Sequence, residues 1–130
     1  FMDSDENPFF TADRILSKIT ADYIFVDFHA EATSEKRALG YFLDGRVSAV
    51  FGTHTHVQTS DEQILPLGTG YITDVGMVGG KNSVLGIRKE DAIRKFTSHI
   101  GVRYSQDENE IFFQSVLFDT DKKEIERINI

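Results

Sequence analysis

Three of the chain's four histidines, His29, His54 and His56, stand directly after apolar runs. His29 follows Val26-Asp27-Phe28, and the other two follow Val50-Phe51-Gly52. Neutral imidazole binds Zn, Mn, Fe and related metals through one ring nitrogen, and two histidines one residue apart on an extended loop can serve neighbouring metal positions. A single histidine at a strand end is as readily a hydrogen-bonded polar residue, and a His-x-His pair alone could hold a single zinc. Together, with Gly52 permitting a close backbone approach, the three point to a metal centre. Carboxylates to orient the rings are nearby. Asp27 and Glu31 flank His29, and Asp74 lies in the loop after Tyr71. A ligating histidine commonly gives its second N–H to such an acid. The remaining histidine, His99, reads as a surface or helix-ending residue. No glycine-flanked serine marks a nucleophile elbow, and the glycines between Gly76 and Gly86 match neither nucleotide-binding fingerprint.

The elements that must position these residues follow from periodicity. Thr11 can cap a helix with Ala12, Ile15, Leu16 and Ile19 on one face. Tyr23 to Phe28 reads as a strand covered on both sides. A second helix starts at Thr33 or Ser34, runs through Ala38, Leu39, Phe42 and Leu43, and stops near Gly45; Val47 to Phe51 is the next buried strand. Strand, helix, strand predicts a parallel crossover, and ligands in such sheets bind beyond the carboxyl ends of the strands, where the histidines stand. Gln63–Leu67 and Tyr71–Thr73 read as short strands, followed by a glycine-containing loop. Lys89–His99 reads as a helix with Ile93, Phe96 and Ile100 inward. Ile111–Phe118 and Glu124–Ile130 flank a polar turn as a hairpin. The fold class expected is α/β, a mixed sheet with helices on its faces and a C-terminal β-hairpin.

With 130 residues the chain is sized for one domain, and no apolar run approaches the roughly 20 residues of a membrane span. A net charge of −7 excludes wrapping a nucleic-acid duplex by phosphate neutralisation. Zero cysteines exclude disulfides and thiolate zinc, and fit a cytoplasmic home. The acidic opening Phe1 to Asn7 is no signal peptide, and a first residue other than Met is what a cut or partial chain would show.

Four stretches together carry a resemblance: Val26-Asp27-Phe28-His29-Ala30-Glu31-Ala32-Thr33-Ser34-Glu35-Lys36, Asp44 to Val50, Gly52-Thr53-His54-Thr55-His56-Val57-Gln58-Thr59, and Tyr71-Ile72-Thr73-Asp74-Val75-Gly76-Met77. In these the chain closely resembles the bacterial YmdB-like phosphodiesterases of the calcineurin-like metallophosphoesterase superfamily. The resemblance implies part of a four-layer α/β sandwich with a centre of two metal ions, Mn or Fe with Zn possible, that activates water and stabilises the phosphoryl transition state. Its substrates would be phosphodiesters, 2′,3′-cyclic nucleotides above all. Carried over, His29 and His54 hold one ion and His56 its neighbour. The family's N-terminal Asp, its Glu-Asn pair and its Gly-Asn-His block, whose histidine protonates the leaving oxygen, do not occur here. Residues 1–130 therefore read as the C-terminal half of the domain, with no catalytic general acid of its own and with the missing N-terminal half or a second copy as partner. Two rival readings stand beside this one: a catalytically incomplete metal-binding or assembly fragment, and a single-zinc hydrolase.

Overall fold

The computed structural model describes residues 6–98 and 100–130. The opening segment up to Asp5 and His99 lie outside the described residues, and with them the expectation for that histidine.

The first helix, α1 (Pro8–Leu16), begins earlier than its apolar spacing suggested, because Asn7 rather than Thr11 caps it. Asn7 Oδ1 accepts the Phe9 N–H at 2.9 Å, and Pro8 occupies the first helical position, where its missing donor costs nothing. Ala12 and Leu16 pack on the core, whereas Ile15 and Ile19 are exposed. Strand β1 (Phe25–His29) leads into α2 (Thr33–Leu43), which crosses to β2 (Ala49–Thr53). The two strands pair in parallel, Phe25 opposite Ala49 through to His29 opposite Thr53, as the strand, helix, strand pattern predicts. Strand β3 (Gln63–Ile64) turns into β4 (Gly70–Ile72), and the sheet order is β1-β2-β4-β3, with β3 antiparallel to β4.

Strand alternation divides the sheet's two faces. Val26, Phe28 and Val50 point to the helices, joining a core of Leu39, Leu43, Val47, Leu65 and Tyr71. Phe25, Asp27 and His29, with Ala49, Phe51 and Thr53 beside them, point the other way. That second face meets the antiparallel sheet, where the Phe118 ring stands 6.5 Å from Phe25 and close against Gly70. This sheet has the order β5-β6-β7, built from β5 (Val78–Gly80) and the hairpin β6 (Ile111–Asp119) and β7 (Glu124–Asn129). The mixed sheet and the terminal hairpin match expectation.

Three readings need correction. Strand β1 is not covered on both sides: it is the outermost strand, and Phe25 is 53% exposed. The glycine-containing loop after β4 is partly strand, since Val78–Gly80 pairs with β6. Helix α3 (Lys89–Ser98) forms where predicted, but Ile93, Phe96 and Ile100 face outward and only Ala92 of this helix is buried. No helix among the described residues is long and apolar enough to cross a membrane.

Candidate metal centre

Two of the three histidines meet. His29 ends β1 and His54 opens the loop after β2, and the parallel register brings their rings to 5.0 Å between centroids, with His54 Nδ1 3.2 Å from His29 Nε2. The same register sets Thr53 beside His29, and a chain of hydrogen bonds fixes that ring. Thr53 Oγ1 donates to Asp27 Oδ1 at 2.8 Å, so it accepts from His29 Nδ1–H at 3.0 Å. The neutral ring then carries its lone pair on Nε2, the nitrogen facing His54. Two nitrogens each about 2.1 Å from one ion stand ~3.0 Å apart at a right angle and ~3.4 Å apart at the tetrahedral angle. In this structure His54 Nδ1–H donates to His29 Nε2, and the 3.2 Å between them falls in that range, so the same pair has the spacing of two ligands on one metal.

His56 is held differently. Its Nδ1 donates to the Leu85 carbonyl at 3.2 Å, which leaves Nε2 as the ring's lone-pair nitrogen. Both loop histidines have positive φ, 113° at His54 and 62° at His56, a region that non-glycine residues enter only when the surroundings over-determine it. Here the surroundings are explicit. Asp74, fully buried, takes the Thr55 N–H at 2.9 Å between the two histidines, the Gly76 N–H at 3.0 Å, and the ammonium of buried Lys36 at 2.9 Å. Burial opposes its charge, but those bonds, led by the Thr55 N–H, outweigh burial and hold the carboxyl below the usual carboxylate range. A second latch joins Thr59 to both backbone groups of Asp74. Gly52, just before the loop, has no room for a side chain: a Cβ there would run into the Thr73 carbonyl.

The candidate acids thus take separate places. Asp27 reaches His29 through Thr53, Asp74 grips the loop backbone rather than a ring, and Glu31 is exposed and outside this network. Among the described residues no three His, Cys, Asp or Glu side chains converge as ligands of one ion.

Four contributors escaped the sequence reading. Thr53 was legible only through the strand register. Lys36 did carry a signal, since it shares the buried stripe of α2 with Leu39, Gly40 and Leu43, where an ammonium requires a partner. Gln58 ties the loop to the antiparallel sheet, its Nε2 donating to the Ser115 carbonyl at 2.8 Å. Leu85, far along the chain, offers a backbone carbonyl that no side-chain pattern announces.

The chain has relatives of known sequence and of solved structure. It is 47% identical over 137 aligned residues to the 2′,3′-cyclic-nucleotide 2′-phosphodiesterase of Bacillus subtilis strain 168, a match covering all of this chain and 52% of that protein. A hypothetical protein from Thermus thermophilus superposes with a TM-score of 0.93 at 40% identity, over 99% of this chain and 52% of the other. A structure described as a novel phosphatase from Mycoplasma pneumoniae superposes at 0.86, also at 40% identity, over 95% and 46%. The chain therefore spans about half the length of these relatives. The family model described as YmdB-like protein matches residues 1–130 throughout, and the chain belongs to that family.

Proposed function

We propose that this chain carries the histidine part of a two-metal site that hydrolyses phosphodiesters, with 2′,3′-cyclic nucleotides as the substrate class. The observation that carries the reading is the 3.2 Å separation of His29 Nε2 and His54 Nδ1, with the first ring's tautomer set by Thr53 and Asp27. The name and close similarity of the Bacillus relative support the substrate class. His29 and His54 would hold one ion, and His56 would offer its free Nε2 to a neighbouring one; Mn or Fe suits these donors, and Zn is compatible. Bound ions of this kind supply Lewis-acid stabilisation of charge on the phosphoryl group. What the chain's own residues do is hold donors still. Thr53 and Asp27 keep the His29 proton on Nδ1, Asp74 and Lys36 keep the loop in its left-handed conformation, and Leu85 keeps the His56 proton on Nδ1. Because no three ligands converge among the described residues, further ligands and the group that protonates the leaving oxygen would come from a longer protein.

Two measurements test this. Calorimetric titration of the chain with Mn²⁺ or Zn²⁺ is expected to show binding that His54→Ala and His29→Ala each remove with an unchanged circular dichroism spectrum. In a protein of the relatives' full length, hydrolysis of a 2′,3′-cyclic nucleotide is expected to stop with EDTA and with His56→Ala, while the 130-residue chain alone turns over none. Metal-dependent turnover by the short chain that survives His56→Ala would overturn the assignment.

A further inference from the structure

Beside His56 the surface opens into a cavity of about 360 Å³, lined by Met77, Leu85, Phe112 and Gln114 among others. His56 lines this cavity and lies two residues beyond His54, so their Cα atoms are no more than ~7 Å apart. The cavity therefore adjoins the candidate metal centre.

Its walls are a thioether, an aliphatic side chain and an aromatic ring, a surface suited to a flat, weakly polar ring system. The polar groups in the lining are mostly engaged. Ser83 donates to the Gly80 carbonyl and accepts the Gly86 N–H, and Lys81 pairs with Glu110 at 3.2 Å. Gln114 differs. Its Oε1 accepts the Met77 N–H at 3.4 Å, and among the described residues its Nε2 has no hydrogen-bond partner, so it can donate to an acceptor such as a ring nitrogen or carbonyl. The Leu85 wall is also held in an unusual backbone. Val84 and Ile87 exchange hydrogen bonds of 2.8 and 3.0 Å around Leu85 and Gly86, whose φ values are 55° and 92°. Two positive φ values in a two-residue turn ordinarily call for Asn-Gly, yet a leucine stands first and remains 46% exposed. The turn gives His56 a carbonyl and the cavity an apolar wall at the same residue.

We propose that this cavity receives the base of the nucleotide, so that Leu85, Met77, Phe112 and Gln114 determine which organic group the site accepts. The inference rests on the phosphodiesterase reading of the histidines. The volume lies near the lower end of small-ligand cavities, roughly 300–1,000 Å³, which suits one nucleoside and not an oligonucleotide. The net charge of −7 points the same way, since a polyanion would be repelled.

The test needs neither metal nor turnover. Metal-free chain is titrated with adenosine, uridine and ribose while the methyl signals of Met77, Leu85 and Val57 are followed by NMR. Saturable shifts with the nucleosides and none with ribose are expected. Leu85→Asn suits the positive φ and retains the carbonyl that His56 uses, but removes the apolar wall; it is expected to weaken nucleoside binding at least about tenfold. Gln114→Met removes the amide donor at similar volume and is expected to weaken binding about fivefold. Folding of each variant is checked by its amide spectrum. Nucleosides that leave these methyl signals unmoved, or that bind folded Leu85→Asn and Gln114→Met as tightly as the parent, overturn the proposal. Failure of the phosphodiesterase reading appears separately, as absent metal binding at His29 and His54 or absent hydrolysis by the longer protein.

Discussion

At the scale of single residues, the site depends on groups that touch no ligand. Thr53 is the clearest. It joins Asp27 to His29, and without its hydroxyl the ring's proton is free to move to Nε2 and block the nitrogen facing His54. Thr53→Val, nearly isosteric, is expected to lower metal affinity by about 10- to 100-fold, the usual cost of losing such a partner, with little change in melting temperature. Calorimetric titration beside a thermal melt separates the two effects. Lys36 and Asp74 form the second case, an ion pair exposed by only 1% and 0%. Removing one member leaves the other buried without its countercharge, so Lys36→Met is expected to destabilise the fold by about 3–5 kcal/mol in urea unfolding. The pH dependence follows from Asp74 and Asp61. Burial raises the pKa of each, yet the hydrogen bonds they accept, from Thr55 and Lys36 in one case and Thr73 and Thr59 in the other, bring it below the ordinary value. A carboxyl with a lowered folded-state pKa contributes stability above its unfolded pKa of ~3.9 and loses it as pH falls through the folded value. Acid unfolding followed by circular dichroism should therefore lie below pH ~3.9 for these groups, and Lys36→Met should move it upward.

At the scale of elements, close approach sets the limits. Strand β2 passes Thr73 so tightly that Gly52 cannot carry a Cβ, and the Val75 N–H bonds the Gly52 carbonyl at 3.0 Å across that contact. Gly52→Ala must push β2 and the segment after β4 apart, and is expected to cost about 1–3 kcal/mol in chemical denaturation and to displace the histidine loop that follows. What the sequence revealed and what it hid divide along the same line. The parallel β1-α2-β2 unit, the hairpin β6-β7 and the clustering of His29 and His54 at strand ends were legible, because local periodicity and strand-end position determine them. Helix α3 was legible as a helix but not in its orientation. Its stripe of Ile93 and Phe96 is genuine, yet periodicity cannot say whether a neighbouring element exists to cover it, and here both residues are exposed. The separate holding of His56 was hidden for a related reason, since it depends on a carbonyl 29 positions away.

At the scale of the whole molecule, the mixed sheet ends abruptly. Strand β1 is outermost, and its sequence, Phe25-Val26-Asp27-Phe28-His29, has none of the lysines or prolines that usually protect an edge. Its outer N–H and C=O groups have no strand partner among the described residues. Apolar side chains stand exposed around the molecule as well, including Phe10 at 75%, Phe96 at 77% and Phe25 at 53%. Such an edge gains hydrogen bonds and apolar burial by pairing with a second copy or with the rest of a longer protein. Against that attraction stands the net charge of −7, which makes copies of the chain repel one another. Repulsion between exposed charges is screened over about 10 Å at 0.1 M salt and about 3 Å at 1 M, whereas strand pairing and apolar contact are not weakened by salt. Association should therefore strengthen as salt is added, the reverse of what a charge-driven interface would do. Sedimentation velocity across micromolar concentrations is expected to give a sedimentation coefficient that rises with protein concentration, and more steeply at about 1 M than at about 0.1 M NaCl. A monomer that withstands both concentration and high salt would mean that the β1 edge is protected by its own twist and by Asp27, and that no partner is needed to cover it.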